Sequence, residues 1–238
     1  MLVVAALAAF SACGEEPAEP RADDERPGAA TSSSDDDLRY SCGGALFPVA
    51  AIEDRQPPSD DLLAAIEKLR RSPEGRVPPD GWFVVAETSD RATLLAPDRD
   101  QFSSVTFERE GEDWAAQGWG DCLPRLNVPD KSVLRWAFTE DAYPPAPGAT
   151  ELELLAVEVQ CSSGRDIEGL VEATVEYRED RIDVVLTAPG LDPGTGYDCQ
   201  GSPGTEYELV LSEPVGDREV VDLSVYPPAE PEPGTLVP

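Results

Sequence analysis

Behind Ser59-Asp60-Asp61, apolar residues fall at Leu62, Leu63, Ile66 and Leu69, with Lys68, Arg70 and Arg71 closing the run and Gly75 just beyond it. That spacing sets the apolar side chains on one stripe of a 3.6-residue repeat. Ser59 can cap the first turn, and Asp60 and Asp61 complement the positive end of the helix dipole. A helix is expected there. The pattern then changes to short runs rich in β-branched and aromatic residues. After the turn signal Pro78-Pro79-Asp80-Gly81, Trp82–Thr88 and Ala92–Ala96 flank Ser89-Asp90-Arg91 as a hairpin. Phe102–Arg109 sets Phe102, Ser104 and Thr106 against Ser103, Val105 and Phe107, and Glu110-Gly111-Glu112 turns into Asp113–Trp119. These elements predict one helix on an antiparallel sheet, with Trp82, Phe107, Trp114 and Trp119 as core.

Past Pro129-Asp130-Lys131 no helical stripe occurs. Strands are expected at Val133–Thr139, Leu152–Gln160, Val171–Tyr177, Ile182–Thr187, Glu206–Leu211 and Val220–Val225, with Arg178-Glu179-Asp180-Arg181 as a tight hairpin turn. The Gly- and Pro-rich connection from Ala188 to Thr205 reads as a loop. The fold expected is mainly β with one helix: an N-terminal α+β unit over residues 38–130, then a small β-sandwich over 131–226, then a Pro-rich tail over 227–238 that is disordered or extended.

Residues 2–12, LVVAALAAFSA, form a continuous apolar and small-residue run. Eleven residues of helix span only about 16 Å, against a bilayer core of about 30 Å. The length suits the hydrophobic region of a signal peptide. It ends in Phe10-Ser11-Ala12-Cys13, which resembles the lipobox of bacterial lipoproteins: an apolar residue, two small ones, then the Cys that becomes the lipidated N-terminus. The resemblance implies export, cleavage after Ala12, a diacylglycerol thioether on Cys13, and anchoring to the outer face of the cytoplasmic membrane. In two respects the match departs from the pattern. Phe10 stands where Leu is usual, and no Lys or Arg precedes Arg21, so the translation start is expected upstream of Met1. Residues 13–37 carry nine acidic side chains and a Thr-Ser-Ser-Ser run. Such a segment buries too little apolar surface to offset its chain entropy, and it reads as a linker with a reach of about 25–30 Å.

The whole chain of 238 residues carries 48 acidic and 18 basic side chains, a formal net charge of −30. Nucleic acid is excluded as a partner, because binding it requires many cations to displace counterions. Only Lys68 and Lys131 are lysines, and the excess of Ala, Pro, Gly, Asp and Arg is that of chains encoded by GC-rich genomes.

The five cysteines are Cys13, Cys42, Cys122, Cys161 and Cys199. Lipidation of Cys13 leaves an even set of four, with three possible pairings. Cys42–Cys122 with Cys161–Cys199 is preferred, because each bridge then lies within one unit, although a bridge between the halves such as Cys122–Cys161 stays open. In the chain-entropy model the two loops are worth about 4.5 and 4 kcal/mol. Zinc is not expected, since the cysteines lack paired spacing and the chain has no His.

The absence of His also removes Ser-His-Asp and Cys-His nucleophiles. Neither Lys68, on a charged helix face, nor Lys131, at the junction, suggests the desolvation a Ser-Lys dyad needs. Asp98, Asp100 and Asp113 are the carboxylates considered for glycosidase chemistry or a calcium site, and solvated turns account for them better. Gly194-Thr195-Gly196 through Gly204 lacks the strand, helix and Lys of a phosphate loop. The function expected is that of a non-enzymatic, membrane-anchored envelope module without a cofactor. Its partner would be an envelope protein, a glycan or a small ligand, met on a concave surface at the junction of the units lined by Trp136, Phe138 or Tyr143. The alternative is a carboxylate-dependent hydrolase of cell-wall polysaccharide, with a cation-dependent adhesion module behind it.

Intact mass of the membrane-extracted chain checks the N-terminal reading. The expected species begins at Cys13, carries acyl chains, and gains the hydrogens of two disulfides on reduction. A species that retains Met1 and gains nothing on reduction would contradict it.

Overall fold

The structure is a computed structural model that describes residues 38–72, 80–99, 101–199 and 204–234. Cys13, the run before it, the 14–37 linker, Gly75, Pro78, Pro79 and Asp100 lie outside the described residues.

The helix forms where the periodicity places it. α2, Asp60–Arg70, is capped by the Ser59 hydroxyl, which accepts from the Leu62 amide at 3.4 Å. Leu62, Ala65, Ile66 and Leu69 are buried, whereas Leu63 is 44% exposed. Leu63 sits about 100° round the helix from Leu62, so Ala65 completes the stripe in its place. A shorter helix that the sequence pattern did not disclose, α1 (Val49–Asp54), follows the strands β1 (Arg39–Cys42) and β2 (Ala45–Pro48).

The first sheet runs in the order β3-β4-β5-β6, built from Phe83–Glu87, Arg91–Asp98, Gln101–Glu110 and Asp113–Cys122, all antiparallel. The stripe of α2 packs on one face against Leu94, Val105, Phe107 and Trp114. The other face presents Phe83, Val85, Leu95 and Phe102 to Tyr40, Phe47, Val49 and Ile52 of the β1–β2–α1 segment. Coverage on both sides explains why all of Phe102–Phe107 is buried instead of alternating. Trp82, Phe107 and Trp114 are core, as expected, but Trp119 is 39% exposed. The helix covers the Trp114 end of β6, around Asp61, Ala65 and Lys68, and Trp119 lies beyond it.

The second unit is one six-stranded sheet, ordered β10-β11-β8-β9-β12 with β13 also against β11. Its strands are β8 (Lys131–Phe138), β9 (Glu151–Glu158), β10 (Glu172–Tyr177), β11 (Arg181–Pro189), β12 (Thr205–Val210) and β13 (Glu219–Asp222). Alternate residues turn inward from each strand: Leu134, Trp136 and Phe138; Leu152, Leu154 and Ala156; Ile182, Val184, Leu186 and Ala188. β10 and β12, at the two ends of the path, pack on this same core, and the Ser212 amide donates to the Tyr177 hydroxyl at 2.8 Å. The two end strands of the path thus share one core, and the described part of the second unit has strands but no α-helix. One edge of β11 is shared, its first half pairing in parallel with β13 and its second half with β8.

The two units are not self-contained. Val185 and Leu223 of the second join the cluster of Tyr40, Cys42, Phe47 and Leu126 in the first, where β7 (Arg125–Leu126) pairs with β1. The chain after β13 completes the seam. The Leu126 amide donates to the Ser224 carbonyl at 2.8 Å, the Tyr226 amide to the Pro124 carbonyl at 2.9 Å, and the Tyr40 hydroxyl to the Leu223 carbonyl at 3.3 Å. The tail also returns to the fold over residues 227–234. Ala229 exchanges two backbone hydrogen bonds with Asp222, Pro231 is buried, and the Gly234 amide donates to the Phe138 carbonyl.

Disulfides join Cys42 to Cys122 and Cys161 to Cys199. The first ties β1 to the end of β6. The second pins the loop after β9 to the loop before β12, where the Ser163 amide and hydroxyl bond to Asp198.

Truncation of the helix stripe is checked by urea denaturation. Leu62→Ala should cost about 2–5 kcal/mol, as a buried Leu does, and Leu63→Ala within about 0.5 kcal/mol of nothing. Equal losses would place the stripe wrongly.

Candidate functional site

The seam between the units leaves a recess. It is lined by Ser41, Arg125, Leu126, Asn127, Val128, Lys131, Val133, Arg135, Val159, Gln160 and Ser224, and encloses about 260 Å³. Each wall follows from the fold. β1 carries Ser41 and β7 carries Arg125; β8 begins at Lys131 and turns Arg135 outward between the inward Leu134 and Trp136; the ends of β9 and β13 bring Val159 and Ser224.

The side chains around the recess are fixed by partners. Arg135 Nε donates to Asp222 Oδ2 at 3.2 Å. Asp222 is 1% exposed and also accepts from the Ser224 amide and hydroxyl, each at 2.8 Å. Burial pushes the Asp222 carboxyl up to about 6, and the Ser224 and Arg135 bonds only partly oppose it. Lys131 Nζ lies 2.7 Å from Glu172 Oε2. Arg125 Nη1 donates to the Val159 carbonyl at 3.4 Å, and Ser41 Oγ donates to the Arg125 carbonyl at 3.3 Å. Burial and the neighbouring Arg135 charge both lower the Arg125 guanidinium from its ordinary value.

Two further buried carboxylates belong to scaffolding. Glu158 takes both arms of Arg165, at 2.7 and 2.9 Å, and Arg165 also reaches the Ser132 hydroxyl. Asp183 is bound by Arg178 and Arg181. These pairs fasten the Ser162–Leu170 loop and the β10–β11 turn.

The residues singled out from the sequence scatter. Trp136 and Phe138 are buried in the second core; only Tyr143, 45% exposed, is accessible. Tyr143 lines a different groove, with Pro144, Pro147, Asp217, Glu219 and Pro231. The two buried aromatics fall on inward positions of β8, which is why they cannot form a junction surface. Lys68 lies on α2 and Lys131 at the recess. Asp98 accepts from Ser103 Oγ at 3.5 Å, and Asp113 opens β6 at the surface. Gly194 and Thr195 form a turn closed on the Asp192 carboxylate. Among the described residues no three Cys, Asp or Glu side chains converge to hold a metal ion, and no helix is long and apolar enough to cross a membrane. Sequence reasoning expected a concave surface at the junction but missed the residues that line it. The signal available was the closeness of Arg125, Lys131 and Arg135 in a chain poor in cations.

Compared with known protein families, with curated proteins and with solved structures, the chain matches none.

The Asp222 carboxyl sets a pH dependence. Its native value of about 6 lies above the ordinary 3.8, so the native state holds the proton more tightly than the unfolded chain does. Its contribution to stability is therefore complete below about pH 4 and is lost as pH rises through about 6. Relative to Asp222→Asn, the wild type should lose about 2–4 kcal/mol between pH 4 and pH 7, measured by urea denaturation at each pH. A stability difference that stays flat with pH would refute the burial argument.

Proposed function

We propose that the protein is an extracytoplasmic, lipid-tethered binding module of the cell envelope, non-enzymatic, whose ligand site is the recess between the two units. The observation that carries this reading is the recess itself: a concavity at the junction, walled by side chains from both units and fixed by partners on its far side. Concave sites formed where units meet are where small ligands are commonly held. The tether rests on Cys13 and the run before it, and the two disulfides are compatible with an oxidising compartment.

A carboxylate-dependent hydrolase has less to draw on. The carboxyl raised to about 6, Asp222, is turned away from solvent and bonded at both oxygens, so it cannot reach a glycosidic oxygen. Among the described residues, no carboxylate lines the recess to serve as its partner.

Ligand-observed NMR against a panel of small metabolites tests the site, using the full-length chain and a Ser41→Trp variant whose indole fills the recess. Compounds that bind the wild type and are lost in the variant support the reading. Compounds that bind both equally, or a panel that binds neither, would overturn it.

A further inference from the structure

Acidic side chains outnumber basic ones 48 to 18 in this chain, yet every ionisable side chain lining the junction recess is basic: Arg125, Lys131 and Arg135. Two of the three are compensated from outside the wall, Arg135 by Asp222 and Lys131 by Glu172. Arg125 has no carboxylate partner among the described residues; its side chain donates to the Val159 carbonyl. Arg135 stands close enough to disfavour the Arg125 charge. Half burial first, and the Arg135 charge second, work against the Arg125 charge, and an oxyanion set against the Arg125 guanidinium would offset both.

The remaining walls fix the size and character of that anion. Leu126, Val128, Val133 and Val159 supply apolar surface, and Asn127 and Gln160 supply amide donors. The recess, about 260 Å³ and partly open to solvent, has room for an anionic head group with a short body behind it. A bare inorganic ion would leave that apolar surface, the smaller share of the lining, unused.

We propose that the recess binds a small organic oxyanion, a single carboxylate or phosphate group on a short apolar body, with the Arg125 guanidinium as its main contact and Arg135 and Lys131 beside it. The assignment rests on the recess being the ligand site, and it adds the class of ligand. Arg135 is aimed by its bond to Asp222, so Asp222 acts as a positioning residue without touching the ligand. No bond is made or broken in the bound molecule.

Calorimetry on the detergent-solubilised full-length chain tests this, with butyrate and butyl phosphate as probes, butyramide as the neutral counterpart, and inorganic phosphate as the ion without a body. Butyrate or butyl phosphate should bind saturably and more tightly than inorganic phosphate. Arg125→Gln should weaken that binding by about tenfold or more, the worth of one charge-assisted contact. Arg125→Lys should restore part of it, and the remote Arg91→Gln should leave it unchanged. Butyramide binding as well as butyrate, and lost in Ser41→Trp, would overturn the oxyanion assignment while leaving the recess as a ligand site. Weakening by Arg91→Gln equal to that by Arg125→Gln would mark an adventitious ion only and overturn it. Absence of binding by all four probes would also overturn it; only a metabolite panel that likewise binds nothing would remove the binding reading itself.

Discussion

The structure depends on the contact between β1, β7 and the segment that follows β13. Tyr40 is its centre: the ring is buried in the cluster that takes Val185 and Leu223 from one unit and Phe47 and Leu126 from the other, and its hydroxyl donates across the seam to the Leu223 carbonyl. A buried phenol needs such a partner, so the ring is held in position as well as covered. The outer side of β11 would otherwise expose Val185, and the lower face of the first sheet would expose Leu95 and Phe102. Each unit supplies the cover the other lacks. The recess is the edge of this contact, and it exists only because the two surfaces meet.

A second constraint is electrostatic. A chain at −30 must keep its buried carboxylates matched. Glu158, Asp183 and Asp222 are each met by arginine. Removing one partner from such a pair leaves an uncompensated buried charge, which costs far more than the pair gains. Arginine suits these positions because its fork reaches two acceptors and it stays charged. Arg165 binds Glu158 bidentately while also touching Ser132 and the Pro189 carbonyl. The disulfides act alongside these pairs. Cys161–Cys199 and the Arg165 contacts together fasten loops too rich in Gly and Pro to hold themselves.

Elements whose side chains settle their own environment were legible in the sequence. Ser59 and the 62–66–69 spacing announced α2, and the β-branched and aromatic run Val133–Thr139 announced β8. The expected strands of the second unit match those observed to within a few residues at either end. What failed to show was everything decided by long-range packing. β1, β2 and β7 are two to four residues long and lack a period of their own. Trp119 has the composition of a core residue and the position of a surface one, because α2 stops short of it. Trp136 and Phe138 looked like binding aromatics until the pleat turned them inward. The recess draws on positions 41, 125–135, 159–160 and 224, which no local pattern connects.

An acidic protein is an unexpected host for an anion, and the distances involved resolve the difficulty. The −30 is a sum over the whole chain, whereas the recess presents Arg125, Lys131 and Arg135 to whatever enters it. At physiological ionic strength charges more than about 8 Å away across water are largely screened, while partly buried neighbours are screened much less. The acids that pair with the recess cations are not free to repel it either: Asp222 and Glu172 are each engaged by one of them and lie outside the lining. The far field thus lowers the rate at which an anion arrives more than it weakens the hold once the anion is in place. It also rejects large polyanions, whose remaining charges would have to sit over the acidic surface. Preference for a small ligand with one anionic group follows from that charge distribution.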